Sequence, residues 1–147
     1  MDIIIEYKVL IIPAIAWLIA EALKMPVSWI RERKWNPAQL FLGGMPSAHS
    51  ALVCSLATTV GFIDGFSSVT FAIALGFALV VMQDAGGVRK TVGLQSTMLN
   101  RIIREMFKGK PEQEEQLREL IGHTRPQIVV GALLGILVGW TLSLIIP

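Results

Sequence analysis

Residues 43–52 read Gly-Gly-Met-Pro-Ser-Ala-His-Ser-Ala-Leu, and this stretch decides how the rest of the chain is interpreted. Proline is tolerated at a helix start and serine is a good N-cap residue, so we expect a helix from Ser47 to Ile63. His49 then lies in the first turn, where unpaired backbone N–H groups and the helix dipole attract phosphate. The competing interpretation is a capped helix with an incidental histidine.

The composition around this stretch is typical of a membrane protein. The 147 residues are 53% hydrophobic and only 16% charged, whereas soluble domains carry about 25% charged residues. We therefore expect an all-α integral membrane helical bundle, with residues 1–147 forming one domain. The single cysteine, Cys54, excludes a disulfide within the chain and is assigned to packing. The net charge of +2 gives no argument for nucleic acid, and none is expected as a partner.

Apolar segments predict about four transmembrane helices, since a span needs roughly 20 apolar residues. They cover residues 3–23, 47–63, 66–83 and 126–146. Asp64 and Gly65 form a tight turn between the second and third spans, which predicts an antiparallel hairpin. Thr124 and Gln127 have the spacing of a capping box at the start of the fourth.

The segments between the spans are more polar. Residues 24–42 are basic and carry Trp29 and Trp35, as expected at a headgroup interface. Residues 98–108 form an amphipathic cytoplasmic helix that lies on the membrane surface or packs against the bundle. Residues 112–121 predict a short acidic helix to which we assign no chemistry.

The fourth span carries glycines at every fourth position. Gly131, Gly135 and Gly139 lie on one helical face, and small residues at this spacing let helices approach closely in lipid. This face packs within the bundle or between protomers, so a homo-oligomer through it is one expectation.

The basic residues set the orientation. Segments 24–44 and 84–126 contain 12 of the 13 lysines and arginines, and the positive-inside rule places both in the cytoplasm. We therefore expect a multi-pass cell membrane protein with both termini outside. This topology brings the start of span two, the end of span three and the start of span four to the cytoplasmic face. These ends carry His49, Asp84, Arg89 and His123.

Two histidines beside clustered cations and a helix N-terminus are suited to phosphoryl transfer without a metal. One imidazole can attack phosphorus while the other protonates the leaving alcohol. Cations and backbone N–H groups hold the phosphate oxygens. A metal site is the weaker alternative, because the sequence has no His-x-x-x-His pair, no second cysteine and few acids near either histidine.

Three blocks of sequence resemble the divergent branch of the type-2 phosphatidic acid phosphatases, which are related to the vanadium haloperoxidases. The blocks are Gly43-Gly44-Met45-Pro46-Ser47-Ala48-His49-Ser50, Asp84-Ala85-Gly86-Gly87-Val88-Arg89 and Gly122-His123-Thr124. The resemblance implies a membrane phosphatase that hydrolyses a lipid-linked phosphate or diphosphate through a phosphohistidine. It implies His123 as nucleophile, His49 as proton donor and Ser47 as a phosphate contact. Vanadate is a phosphate mimic in this family, and no cofactor is implied.

The family's first motif, Lys-x6-Arg-Pro, matches Lys24 and Arg31, although Glu32 replaces the proline and Arg33 is an alternative to Arg31. We expect Lys24 and Arg31 to bind the substrate phosphate.

Arg89 and Lys90 complete the expected phosphate-binding set. The family's third motif is Ser-Arg-x5-His-x3-Asp, and its histidine matches His123. Gln127 therefore stands where the family has an aspartate that orients the nucleophile. We hypothesise that Asp84 takes this orienting role and that Gln127 chiefly caps the fourth span. The alternative is that Asp84 only pairs with Arg89 or Lys90.

Two other functions stay open from the sequence. A catalytically degenerate relative would bind anionic lipid headgroups or a partner protein without hydrolysis. A small transporter or channel subunit would suit the glycine face, but the predicted spans carry no ionisable residue near their middle.

Overall fold

The computed structural model describes residues 2–32, 44–106 and 124–146, and within these ranges it does not describe the side chains of residues 2–6, 31, 32, 89 and 90. The described residues form five helices and no strand, which confirms the all-α prediction. The helices are α1 (Asp2–Glu32), α2 (Ala48–Asp64), α3 (Val69–Gly86), α4 (Val88–Met106) and α5 (Arg125–Ile145). Three helical stretches are long and apolar enough to cross a bilayer: Tyr7–Ile30, Val69–Met106 and Arg125–Ile145.

The remaining predicted span is α2, which is the centre of the bundle. It has 17 residues, at the short end of what crosses a bilayer. Helices α1, α3 and α5 all pack on α2, and its contact with α5 is the most extensive. Its buried side chains are mostly small, which lets three helices approach one axis closely.

The three glycines of α5 pack against the backbone of α2. A Cβ added at Gly131 or Gly135 would overlap the carbonyl oxygen of Ser47 or Ala51. At Gly139 it would lie 3.0 Å from the carbonyl oxygen of Ser55. The glycine face is therefore used within the chain, and the expectation of a homo-oligomer through it is wrong because α2 already occupies that face.

Helix α1 is longer than the predicted span 3–23. It has 31 residues and continues through Pro13 and Pro26 to Glu32. One of its faces is buried at every fourth position, by Ile12, Ala16, Ala20 and Lys24. Ala20 packs in a cluster with Ala48 and Ala51 of α2. Lys24 therefore belongs to a buried helix face that continues from the predicted span.

Helices α2 and α3 form the predicted antiparallel hairpin. Ser68 caps α3 by accepting a hydrogen bond from the backbone N–H of Phe71 at 3.1 Å. Further along the pair, the Cys54 sulfur lies 3.7 Å from that of Met82. This contact confirms the packing role of Cys54.

Helix α4 follows α3 after Gly87 and is amphipathic, as predicted, but it starts at Val88 rather than near residue 98. Among the described helices it contacts α3 only. Much of its apolar surface is exposed, including Val88, Met98 and Ile102. The last residues of the predicted amphipathic helix and the predicted acidic helix 112–121 lie outside the described residues.

Candidate functional site

Three helix ends meet on one face of the bundle, as the predicted topology requires. The backbone N–H of Ser47, just before α2, donates to the carbonyl oxygen of Gln127 in the first turn of α5 at 3.1 Å. A Cβ added at Gly86, the last residue of α3, would lie 2.6 Å from Cδ1 of Ile128 in α5. The start of α2, the end of α3 and the start of α5 are thus neighbours.

The start of α2 has the predicted N-cap. The hydroxyl oxygen of Ser47 accepts from the backbone N–H of Ser50 at 3.4 Å and from the Ser50 hydroxyl at 3.0 Å. Both serines are fully buried. In both bonds the Ser47 oxygen is the acceptor, so its own O–H group could donate to a phosphate oxygen. Because Ser47 is fully buried, its predicted phosphate contact stays a prediction.

His49 is the exposed member of the first turn of α2. Its neighbours Ala48 and Ser50 are buried against the rest of the bundle. The exposed imidazole therefore lies at the positive end of a helix. This location agrees with the proton-donor role expected of His49, which stays a prediction.

Lys24 brings a buried cation towards the same face. It lies one helical turn beyond Ala20, which packs against the first turns of α2. Its ammonium nitrogen is 2.7 Å from Oε1 of Glu21, and the two side chains are 6% and 18% exposed. Glu21 is a partner of Lys24 that the family motif does not indicate. The four-residue spacing from Ile12 to Lys24, with an acid three residues before the lysine, is the signal that predicts a buried ion pair.

The start of α5 is fixed by Gln127. Its side-chain oxygen accepts from the backbone N–H of Thr124 at 2.8 Å, which confirms the capping box. Its backbone oxygen also accepts from Ser47, so Gln127 joins α5 to α2. The capping role expected of Gln127 is thus confirmed. His123, the predicted nucleophile, precedes this cap and lies outside the described residues.

The other predicted site residues lie around the α3–α4 junction. Asp84 is half-buried in the last turns of α3, beside the buried Ala85. Arg89 and Lys90 lie in the first turn of α4. Their side chains, and that of Arg31 near the end of α1, are outside the described part of the structure. The orienting role of Asp84 and the phosphate contacts of these cations therefore stay predictions. Among the described residues, no three His, Cys, Asp or Glu side chains are grouped as a metal site would require.

Known proteins resemble this chain along most of its length. A family model described as the divergent PAP2 family matches residues 5–138, which include all three sequence blocks of the site. A Bacillus subtilis (strain 168) protein described as "Uncharacterized membrane protein YuiD" is 34% identical over 141 residues. The alignment covers 87% of this chain and 89% of the relative. No solved structure matches significantly.

Proposed function

Because the chain belongs to the divergent PAP2 family, we propose that it is a metal-independent phosphatase of a lipid-linked phosphate or diphosphate at the cytoplasmic membrane face. The observation that carries this proposal is the meeting of three helix ends with Lys24 on one face. Two of these ends are helix N-termini, those of α2 and α5, and both direct the positive end of a dipole to the same place. A phosphate there would be held by backbone N–H groups and cations.

The reaction has two steps. His123 attacks phosphorus, and the bond from phosphorus to the lipid oxygen breaks while protonated His49 gives that oxygen its proton. Neutral His49 then takes a proton from water, which attacks the phosphohistidine, releases phosphate and restores His123. Lys24, Arg31, Arg89 and Lys90 would stabilise the charge on the phosphoryl oxygens in both transition states.

The test is an assay of the purified protein in detergent and EDTA with phosphatidic acid, lysophosphatidic acid and polyprenyl diphosphates. We expect phosphate release from at least one of them. His123→Ala should abolish turnover, and His49→Ala should lower kcat by about 10²–10⁴-fold, the usual range for a general acid–base. Gln95→Ala, at an exposed position of α4, is the control and should keep full activity. Turnover that survives His123→Ala would refute the proposed nucleophile.

Anion binding can be tested without turnover. Isothermal titration should show vanadate binding to the wild type and a loss of binding in Arg89→Ala. Arg101→Ala is a matched control, because Arg101 lies on the same helix, is 83% exposed and is paired with Glu105. Equal binding in Arg89→Ala and wild type would remove Arg89 from the site.

One observation favours a second candidate function, the binding of anionic headgroups without hydrolysis. Gln127, at the position of the family's orienting aspartate, is engaged as a helix cap and supplies no negative charge to a histidine. Vanadate binding together with no phosphate release from any substrate, and no labelled histidine after incubation with a ³²P-labelled lipid phosphate, would support this candidate over the phosphatase.

A further inference from the structure

Helix α2 has one face that the described helices leave uncovered. Its half-buried and exposed residues include His49, Leu52, Leu56, Val60 and Ile63. They are separated by three or four residues, so they form one continuous strip along the helix. The remaining faces of α2 are buried against α1, α3 and α5.

This strip is the floor of a groove. Helices α1 and α3 both pack on α2, yet among the described residues they do not contact each other. The strip lies in the gap between them. Its apolar residues are half-buried and therefore less exposed than outward-facing residues of α3. Leu79 and Val80 of α3, for example, are 56% and 65% exposed. The strip is therefore recessed relative to the outer surface of the bundle.

The groove is polar at one end and apolar along the rest of its length. His49 lies at the end that borders the N-terminus of α2, and the four residues that follow along the strip are Leu, Leu, Val and Ile. From His49 to Ile63 the strip is about 21 Å long at the helical rise of ~1.5 Å per residue. The hydrocarbon core of a bilayer is about 30 Å thick, so the strip is longer than one leaflet's share. The strip is a single row of side chains, so we match it to one hydrocarbon chain.

We propose that this groove holds one hydrocarbon chain of a membrane lipid phosphate whose headgroup is bound at His49. The proposal rests on the proposed function, because it extends the same phosphate site into the bilayer. A lipid phosphate has an anionic head and an apolar chain, and the groove offers a helix N-terminus followed by aliphatic side chains in the same order. The gap between α1 and α3 lets the lipid enter from the bilayer without leaving it. The groove thus selects for lipid-linked over soluble phosphates.

Photolabelling tests the groove independently of turnover. The wild-type protein in nanodiscs is irradiated with phosphatidic acid that carries a diazirine in its acyl chain, and mass spectrometry locates the labelled residues. The control probe is phosphatidylcholine with the same chain and diazirine. We expect phosphatidic acid to label residues 52–63 of α2 several-fold more than the control does, and unlabelled phosphatidic acid to compete. Both probes should label the outer surface of α3 equally.

Leu56→Trp, which fills the groove, should lower labelling of the strip by phosphatidic acid several-fold. Leu79→Trp makes the same change on the exposed surface of α3 and should leave that labelling unchanged. Equal labelling of strip and α3 surface by both probes would overturn the groove. So would a disulfide-linked dimer formed efficiently through a cysteine at position 56, since a second copy would then occupy the strip. A protein that hydrolyses nothing can still show selective labelling. Failure of the proposed function and failure of the groove are therefore distinguishable.

Discussion

Lys24 is a charged residue on a helix face that is otherwise built from Ile12, Ala16 and Ala20. Glu21 compensates its charge within the same turn, at 2.7 Å. A lysine in this setting is costly unless it is paired, and such residues in membrane helices commonly mark functional sites. Glu21 has a second effect, because its negative charge opposes the binding of an anion beside Lys24.

Substitution of this pair separates the two roles. Glu21→Gln replaces the carboxylate with an amide of similar size and removes the opposing charge. Vanadate should therefore bind more tightly, by about fivefold or ~1 kcal/mol. Lys24→Met removes the cation and should weaken binding by at least as much. Isothermal titration measures both. Weaker binding in both variants, with equal losses of thermal stability, would show that the pair serves only the fold.

Asp84 and Gln127 are the two candidates for orienting a catalytic histidine. If Asp84 orients a catalytic histidine and stabilises the imidazolium, Asp84→Asn should lower kcat by at least about 10²-fold with a smaller effect on KM. Gln127→Ala should act on stability instead. It removes the cap acceptor of Thr124 and should cost about 1 kcal/mol.

Steady-state kinetics and thermal unfolding of both variants decide between these roles. A loss of turnover in Gln127→Ala at full stability would transfer the orienting role to Gln127. A structure with the Asp84 carboxylate beyond hydrogen-bond reach of both His49 and His123, and with no bridging water, would exclude Asp84.

At the scale of helices, the contact between α2 and α5 organises the bundle. At each glycine of α5, an added Cβ would come within about 3 Å of a carbonyl oxygen of α2, so the two backbones approach more closely than a side chain would allow without a shift. The backbone bond from Ser47 to Gln127 fixes the register at one end of this contact. Together they hold the two helix N-termini of the proposed site side by side.

Gly135→Ala therefore tests the site and the fold together. The added methyl group overlaps the carbonyl of Ala51, and relief requires the two backbones to separate, at an expected cost of about 1–3 kcal/mol. Gly76→Ala in α3 is the matched control, because a Cβ there meets nothing within 4 Å. That substitution should be neutral or stabilising by up to about 1 kcal/mol. Unfolding in detergent measures both, and equal stabilities would contradict the close packing of α5 on α2.

Sequence patterns predicted these elements with uneven success, for physical reasons. The start of α2 was predicted because serine caps and proline act locally. The hairpin was predicted because Gly65 ends α2, although the turn runs from Gly65 to Ser68 and Asp64 is still helical. The burial of Lys24 was not predicted, because a lysine after an apolar stretch is normally taken as the end of a span. Its pairing with Glu21 within the same helix allows it to be buried instead. The sequence also could not show which helix packs against the glycine face, since contacts within a bundle and between protomers use the same small-residue spacing.

At the scale of the whole molecule, helix ends fall into two groups at opposite ends of the bundle. The proposed site holds the starts of α2 and α5. At the other end, Ile146 lies with Tyr7, Lys8 and Ile11 of α1 around a shallow cleft. The beginning of α1 and the end of α5 are therefore on the same side. Of the 13 lysines and arginines, only Lys8 belongs to that side in the predicted topology.

This charge asymmetry predicts that the site faces the cytoplasm and the α2–α3 turn faces outside. Single cysteines at Asp64 and Glu105, both exposed, can report it in a Cys54→Ala background. A membrane-impermeant maleimide added to intact cells should label position 64 at once and position 105 only after permeabilisation. The reverse pattern would place His49 and Lys24 on the outer face. The proposed substrate would then have to be a lipid phosphate of the outer leaflet, since the headgroup site at His49 would lie at that surface.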